Sequence, residues 1–244
     1  YYIFRKWKEN GKITGKEYMV KTIVTTELLI EIADKYGIES YDVLTGFKWI
    51  ADIIRRNEGK KVFIAGGEES YGYMIGDFVR DKDAVSSCAL IAETAAWAAG
   101  QGKTIFDILL DIYMEFGFYY EGLISVVKKG MSGAEEIRGI MERFRNDPPE
   151  KINNSRVIMI KDYQSSVCRD LDQGTEEKID LPKSNVLQFF LEDGSKISMR
   201  PSGTEPKIKF YFGVKGELTK GSDFEKVKDE LNGRIGGIVS DLDL

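Results

Sequence analysis

The sequence predicts an α/β protein of two domains, and three observations carry this prediction. Between residues 20 and 65, short apolar runs alternate with stretches of helical periodicity, as in βαβ units with a parallel sheet. Beyond about residue 155, short strand patterns separated by turn residues precede one final helix, which is typical of an α+β domain. At about 150 residues per domain, the length of 244 residues fits one large or two smaller domains.

In the first half, apolar runs predict three strands, and periodic stretches predict two helices between them. The strands are expected at residues 20–24, 41–44 and 62–65, and the helices at 26–36 and 47–57. Gly37 is expected to end the first helix, because glycine readily adopts the left-handed conformation that closes helices. This order of elements predicts a three-layer sandwich with a mainly parallel sheet.

Three further helices are expected before residue 150. They cover about 84–99, the segment after the capping-box-like Thr104-x-x-Asp107, and the segment from Ser132. Asp147-Pro148-Pro149 should stop the last of them, since proline cannot continue a helix, and we place the domain boundary there. The predicted divisions are a linker or helix left from a preceding domain (1–17), a first domain (18–150) and a second domain (151–244).

The second domain is predicted to be an antiparallel sheet packed on helices. Its strands are expected at 156–161, 186–191, 195–200 and 207–214. Asp193-Gly194 is a strong hairpin turn between the second and third of these strands. A final helix is expected to begin after Ser222-x-x-Glu225.

Composition excludes several classes of function. The chain has no histidine, so it cannot form a Ser-His-Asp triad or a histidine-based zinc site by itself. A net charge of −5 gives no general reason to bind nucleic acid, and no stretch approaches the ~20 apolar residues of a membrane span. Cys88 and Cys168 are too few for a disulfide framework, which favours reduced thiols and a cytoplasmic location. The chain does not begin with Met, so we expect it to begin inside a longer protein.

One polar loop lies between the last two predicted strands. Strand alternation places Arg200 and Lys209 on the face opposite to the apolar side chains. Between them, the hydroxyls of Ser202 and Thr204 and the backbone at Gly203 would form a small anion cradle, which Arg200 could grip in bidentate fashion. A tight hairpin with turn chemistry alone is the alternative. The flanking cations favour phosphate binding.

A second polar loop follows the third predicted strand, in the segment GGEESYGY. If Glu68-Glu69-Ser70 is extended, Glu68 and Ser70 project to one side, where they could accept vicinal sugar hydroxyls, and the glycines leave room for close approach. An acidic surface loop is an equal alternative from the residues alone. A glycosidase pair is disfavoured, because adjacent strand residues face opposite ways. Lys48 and Lys82 accompany this loop, and each taken singly is typical of a solvated helix start.

Together the two loops resemble those of the α-D-phosphohexomutase superfamily, which includes phosphoglucomutases and phosphomannomutases. The first resembles the phosphate-binding loop of the family's fourth domain, and the second resembles the sugar-recognition loop of its third domain. The likeness runs from about Tyr18 onward. It implies sugar contacts by Glu68, Ser70, Lys48 and Lys82, and binding of the non-transferred phosphate by Arg200, Ser202, Gly203, Thr204 and Lys209.

The resemblance also implies which parts of the reaction lie elsewhere. Family members have four domains, with a phosphoserine loop containing histidine in the first and an Asp-rich Mg²⁺ loop in the second. This chain has no histidine, and Asp170-x-Asp172 lacks the third acid and the arginine of the metal loop, so it is typical of a surface loop. The chain thus resembles the carboxyl-terminal half of a mutase. Alone it would be inactive, and its partners would be a phosphorylated sugar and the missing amino-terminal domains.

The substrate class and two alternatives stay open at this point. Phe47, Tyr71 and Tyr73 resemble the glucose- or pentose-phosphate mutases more than the phosphomannomutase branch. One alternative is a phosphopentomutase of the same family, and the other is a self-sufficient phosphosugar- or anion-binding module without catalysis. A nucleotide-binding domain is disfavoured, because neither G-x-G-x-x-G after a strand nor a Walker lysine motif is present.

Overall fold

The computed structural model describes residues 1–128, 132–203 and 205–244, which fall into two compact units by their contacts. Unit 1 comprises Tyr1–Gly117 and Glu217–Ser222, and unit 2 comprises Phe118–Gly216 and Asp223–Leu244. Each unit has its own sheet.

Unit 1 is built on a mainly parallel sheet, as predicted. Its strands are β1 (Glu17–Thr22), β2 (Glu39–Val43), β3 (Val62–Glu68) and β4 (Gly72–Ile75). Its helices are α1 (Tyr2–Glu9), α2 (Leu28–Tyr36), α3 (Phe47–Asn57), α4 (Ala84–Ala99) and α5 (Ile105–Phe116). The strand order is β2-β1-β3-β4; β1 is parallel to both neighbours, and β4 is antiparallel to β3. Because parallel crossovers are right-handed, α2 and α3 lie on opposite faces of the sheet.

Local signals explain why several of these helices begin and end where they do. Gly37 ends α2 with a left-handed φ of 69°. Thr104 and Asp107 form the capping box of α5, in which each side chain accepts the other's backbone N–H at 3.1 and 2.7 Å. The carboxylate of Asp83 caps α4. On one face of the sheet, Ile50 of α3 packs into a buried cluster with residues of β1 and β3.

The start of β1 is held by a buried carboxylate. Glu17 accepts hydrogen bonds from the backbone N–H groups of Thr14, Gly15 and Lys16 at 2.8 to 3.1 Å, and from the Thr14 hydroxyl at 2.8 Å. Burial alone would raise the pKa of the Glu17 carboxyl, but these donors together hold the pKa below its ordinary value. The ionised carboxylate therefore stabilises the folded state.

Glu17→Gln should lower the free energy of unfolding by about 1 to 2 kcal/mol at neutral pH, because the charge that these donors stabilise is lost. The pKa of Glu17 is lower in the folded state than in the unfolded state. The extra free energy of unfolding of the parent is therefore fully present above the unfolded-state pKa, and it is lost as the pH falls through the folded-state pKa. Urea unfolding followed by tryptophan fluorescence reports on unit 1, where all three tryptophans lie. If the difference in free energy of unfolding between parent and variant stayed the same at acidic pH, the ionised carboxylate could not be its cause.

Unit 2 contains the predicted antiparallel sheet packed on helices. Its strands are β5 (Phe118–Val127), β6 (Lys151–Ile152), β7 (Ser155–Asp162), β8 (Val167–Asp170), β9 (Thr175–Lys178), β10 (Leu187–Leu191), β11 (Lys196–Pro201) and β12 (Lys207–Gly216). Its helices are α6 (Gly133–Asn146) and α7 (Phe224–Asp241). The main strand order is β5-β12-β11-β10-β7-β8-β9, and every neighbouring pair is antiparallel. Phe144 of α6 packs edge-on against Phe189 of β10, with ring centroids 6.2 Å apart.

The contacts divide the chain at a different point from the predicted boundary near residue 150. We predicted no strand at residues 118–127, where the structure has β5. This strand pairs along its whole length with β12, and residues 118–127 and α6 therefore belong to unit 2. Pro148 and Pro149 therefore lie within unit 2. At the other end, α1 packs in unit 1, with Phe4 buried and the Tyr2 hydroxyl donating to Glu93 at 2.6 Å, so by their contacts residues 1–17 are part of unit 1.

Two further predictions concern the thiols and the membrane. Cys88 and Cys168 are free thiols, the first exposed and the second half-buried. Across the described residues, none of the helices combines the length and apolar character that crossing a bilayer requires. The cytoplasmic location stays a prediction.

Candidate functional site

The glycine-rich segment of unit 1 is a tight hairpin. Strand β3 runs on to Glu68, which pairs with Gly72 at the start of β4, so that Glu69, Ser70 and Tyr71 form the connecting turn. Tyr71 has a left-handed φ of 64°, as three-residue hairpin loops require at their last position. The condition on which Glu68 and Ser70 would project to one side, an extended segment 68–70, is therefore not met, because the chain reverses direction directly after Glu68.

Glu68 lies at the meeting point of three elements. Its side chain is buried, and one carboxylate oxygen accepts the backbone N–H of Gly46 at 2.6 Å. The other oxygen lies 3.6 Å from the ammonium nitrogen of Lys82, which sits 4.2 Å from the centroid of the Phe47 ring. Helix α3 has no side-chain cap of its own, so Glu68 supplies the negative charge that its N-terminus favours.

Glu69 is directed to a different part of unit 1. One oxygen of its carboxylate lies 3.2 Å from the Thr22 hydroxyl and 3.3 Å from the Thr25 hydroxyl. The two neighbouring carboxylates thus have separate sets of partners. This agrees with the prediction that they cannot act together on one bond.

The remaining residues predicted for this loop are more dispersed. Lys82 is brought to Glu68, whereas Lys48 is exposed and its ammonium lies 4.8 Å from the Trp49 ring centroid. Ser70 is exposed in the turn. Among the described residues, neither Lys48 nor Ser70 forms a hydrogen bond or ion pair with Glu68.

The glycines of the hairpin make room for protein atoms rather than open space. A Cβ at Gly66 would lie 2.7 Å from the carbonyl oxygen of Val20, and one at Gly72 would lie 2.9 Å from the Phe47 ring. Space for ligand approach was the predicted reason for these glycines. The structure shows instead that they allow close packing of β3 and β4 on their neighbours.

In unit 2, the two predicted phosphate-binding cations are adjacent. Arg200 of β11 is directly opposite Lys209 of β12 in the antiparallel register, so both side chains lie on one face of the sheet, as predicted. Glu205, the nearest acid in sequence, pairs with Lys207 instead. Within the described parts of the chain, no carboxylate lies within ion-pair distance of Arg200 or Lys209. Directly opposed like charges repel, and a bound anion would relieve that repulsion.

The loop between these strands is folded partly by its own hydrogen bonds. The backbone N–H of Ser202 donates to the carbonyl of Lys207 at 2.8 Å, and the Ser202 hydroxyl accepts the N–H of Glu205 at 3.3 Å. Ser202 therefore takes part in the turn with both its backbone and its side chain. Thr204, also predicted to bind phosphate, lies outside the described residues.

Ser202 and Gly203 line a cavity of about 460 Å³ together with Arg138 of α6 and Asn185. The sequence analysis missed Arg138 and Asn185. Arg138 lies on a charged helix face with nothing to distinguish it, and Asn185 lies in an ordinary polar stretch. Only the tertiary fold places them near the loop.

A buried polar chain supports the sheet face that carries Arg200. The Tyr163 hydroxyl donates to the side-chain oxygen of Gln188 at 2.8 Å, and the Gln188 amide donates to the Ser198 hydroxyl at 2.7 Å. Ser198 precedes Arg200 by two residues on β11 and so shares its face. Hydrogen-bonded buried groups of this kind favour one arrangement of the strands. Sequence patterns gave no sign of this network.

The described acidic residues form no metal-binding cluster. No group of three or more acids and cysteines among them is arranged to hold a metal ion. Asp170 accepts the N–H groups of Asp172 and Gln173 in the turn after β8, and Asp172 pairs with Arg156 at 3.0 Å. This pair is therefore a surface turn, as expected.

Comparison with known proteins adds independent findings. Residues 1–116 match the family described as phosphoglucomutase/phosphomannomutase, alpha/beta/alpha domain III. The phosphoglucomutase of Staphylococcus aureus (strain MRSA252) is 41% identical over 217 residues, which are 89% of this chain and 38% of the relative. That of Staphylococcus haemolyticus (strain JCSC1435) is 35% identical over 229 residues, covering 94% of this chain and 41% of the relative. The chain spans well under half the length of these relatives.

Solved structures share the fold at low sequence identity. A phosphoglucomutase/phosphomannomutase family protein from Burkholderia thailandensis aligns with a TM-score of 0.53 and 14% identity, over 96% of this chain and 40% of its own. The open form of the Paramecium phosphoglucomutase pp63/parafusin aligns with a TM-score of 0.52 and 17% identity, over 90% of this chain and 38% of its own. Residues 1–116 are therefore similar to domain III of the phosphoglucomutase/phosphomannomutase family. The chain as a whole is similar to about two fifths of the length of longer phosphoglucomutases. The resemblance drawn from the two loops is confirmed.

Proposed function

We propose that this chain is the substrate-binding part of a phosphosugar mutase that interconverts hexose 1-phosphates and 6-phosphates. The observation that carries the proposal is the pair Arg200 and Lys209, two opposed cations beside a hydroxyl- and glycine-containing loop. In this arrangement a phosphate would meet a guanidinium that can bind two of its oxygens, with Ser202, Gly203 and Thr204 in the loop as further donors. The naming of the relatives as phosphoglucomutases supports the same conclusion.

Sugar recognition is assigned to the hairpin of unit 1. Glu68 keeps acceptor capacity beyond the Gly46 N–H, because a carboxylate has about four lone-pair sites. Ser70 is exposed at the turn. Lys82 adds a positive charge 3.6 Å from Glu68, and Lys48 adds one two residues after Gly46. These four residues would select among hydroxyl patterns, with glucose or pentose phosphates as the expected substrates.

The phosphoryl donor and the metal would lie outside this chain. In the complete enzyme a phosphoserine would give its phosphoryl group to one sugar hydroxyl, and the bisphosphorylated sugar would reorient and return the other phosphate to the serine. Magnesium ion would supply charge stabilisation for that transfer, held by residues that this chain does not contain. The contribution of the present residues is binding and orientation, which account for much of the catalysis of phosphoryl transfer.

The proposal is tested by fusing this chain to the amino-terminal part of the Staphylococcus aureus phosphoglucomutase, in place of the matching part of that enzyme. We expect the hybrid to interconvert glucose 1- and 6-phosphates and the isolated chain to bind glucose 6-phosphate without turnover. Turnover by the isolated chain would refute the proposal that the phosphoryl donor and the metal lie outside this chain. Binding without activity in any hybrid would favour the alternative of a phosphosugar-binding module, and a hybrid active only on pentose phosphates would favour a phosphopentomutase.

Glu68→Gln should weaken glucose 6-phosphate binding by about fivefold, through loss of a charged acceptor. The amide oxygen of glutamine can still accept the Gly46 N–H, so we expect only a small fall in melting temperature, caused by the lost charge at the start of α3. Calorimetric titration and thermal unfolding of the same samples measure both quantities. A large fall in melting temperature would instead support a structural role for Glu68.

A further inference from the structure

Three side chains form a polar triangle at the end of the central strand of unit 1. The hydroxyls of Thr22 and Thr25 are 2.9 Å apart, and they lie 3.2 and 3.3 Å from one carboxylate oxygen of Glu69. Both threonines are buried. The Glu69 oxygen comes from the first residue of the hairpin turn.

The hydrogens of this triangle can be counted. Two hydroxyls provide two hydrogens for three short contacts, and an ionised carboxylate provides none. Each threonine hydroxyl lies within hydrogen-bond distance of the Glu69 oxygen and can donate its hydrogen to it. Buried hydroxyls that lose an acceptor retain their desolvation cost, so the fold favours keeping Glu69 in place.

The triangle ties the turn to the best-anchored part of the sheet. Strand β1 lies between β2 and β3 and is paired on both sides, whereas Glu69 lies 47 positions later in sequence than Thr22. Glu68 is held from another direction, by the Gly46 N–H at the start of α3. The two adjacent carboxylates thus fix the beginning of the turn at two separate points.

We propose that Glu69 is a positioning residue, which holds the Glu69-Ser70-Tyr71 turn so that Glu68 and Ser70 are presented correctly to a sugar. This inference rests on the proposed function, because it gives the turn the task of binding a hexose phosphate. Glu69 itself faces the threonines and would make no sugar contact.

The test uses the whole chain with two ligands, glucose 6-phosphate and inorganic phosphate. Glu69→Ala should weaken glucose 6-phosphate binding by about tenfold and leave the affinity for inorganic phosphate, assigned to unit 2, unchanged. Glu69→Gln should restore most of the affinity, because its amide oxygen still accepts a hydroxyl hydrogen. Thr22→Val and Thr25→Val should each have a small effect, since one donor remains, and the double variant should match Glu69→Ala.

Adding both valine substitutions to Glu69→Ala should cause no further loss, which is the mark of a shared interaction. If the parent binds glucose 6-phosphate and Glu69→Ala binds it equally well, the positioning role is overturned and the proposed function survives. If the parent binds neither ligand, both proposals fail. If Glu69→Ala loses both ligands together with its cooperative unfolding, the role is merely structural and the inference is also overturned.

Discussion

Replacing Arg200 with alanine is expected to weaken phosphate binding more than any other single substitution in this chain. The loss of a charge-assisted, bidentate contact corresponds to about 1.5 to 3 kcal/mol, or roughly a 10- to 150-fold rise in the dissociation constant. Glucose 6-phosphate and inorganic phosphate should be affected alike, because both would be held through the phosphate group. Calorimetric titration of the chain measures this, and the Michaelis constant of the hybrid enzyme provides a second measurement.

Two matched variants sharpen the interpretation of this result. Arg200→Lys keeps the charge but cannot form the bidentate fork, so its affinity should fall between those of the parent and Arg200→Ala. Lys226→Ala removes an equal charge from an exposed position on α7 and should leave affinity unchanged. Equal losses in Arg200→Ala and Lys226→Ala would show that only net charge matters. Unchanged binding in Arg200→Ala would mean that the phosphate site lies elsewhere.

The sequence predictions were accurate where an element depends on residues close in sequence and inaccurate where it depends on residues far apart in sequence. Helix α3 has the predicted limits, and the predicted capping box of α5 forms, because caps and helical periodicity depend on residues within a few positions of each other. Strand β5 was missed because it alternates half-buried and exposed residues, with Leu123 and Val127 on the exposed side, and its partner β12 lies about 90 residues later. The division between the units depends on that distant pairing, so it lies at a different point from the predicted boundary.

The candidate site shows the same dependence on range. Arg200 and Lys209 could be assigned to one face, since they flank a single hairpin and strand alternation is local. The environment of Glu68 could not, because the Gly46 N–H and Lys82 come from different elements that only the folded sheet brings together. Glu69 was assigned no role for the same reason. Its threonine partners lie more than 40 residues away in sequence.

The glycines of the hairpin lead to the second prediction of large effect. Gly66→Ala should lower the free energy of unfolding of unit 1 by about 2 to 3 kcal/mol, because the added methyl group would overlap backbone as well as side chain. Its Cβ would lie 2.7 Å from the Val20 carbonyl oxygen and 3.2 Å from the Phe63 ring. Val20 is in the central strand, so its carbonyl cannot move without disturbing the ladder with β3. Urea unfolding followed by tryptophan fluorescence measures the change.

Gly100→Ala is the matched control in the same unit. Gly100 follows α4 in a right-handed helical conformation, and a Cβ there would meet atoms only at 3.5 Å, an ordinary contact distance. Alanine at such a position restricts the unfolded chain, so the variant should be equally stable or more stable by up to about 1 kcal/mol. If Gly66→Ala proved as stable as Gly100→Ala, β3 could move away from β1 at little cost. The glycine would then be better explained by the approach of a ligand to the hairpin, the role first predicted from the sequence.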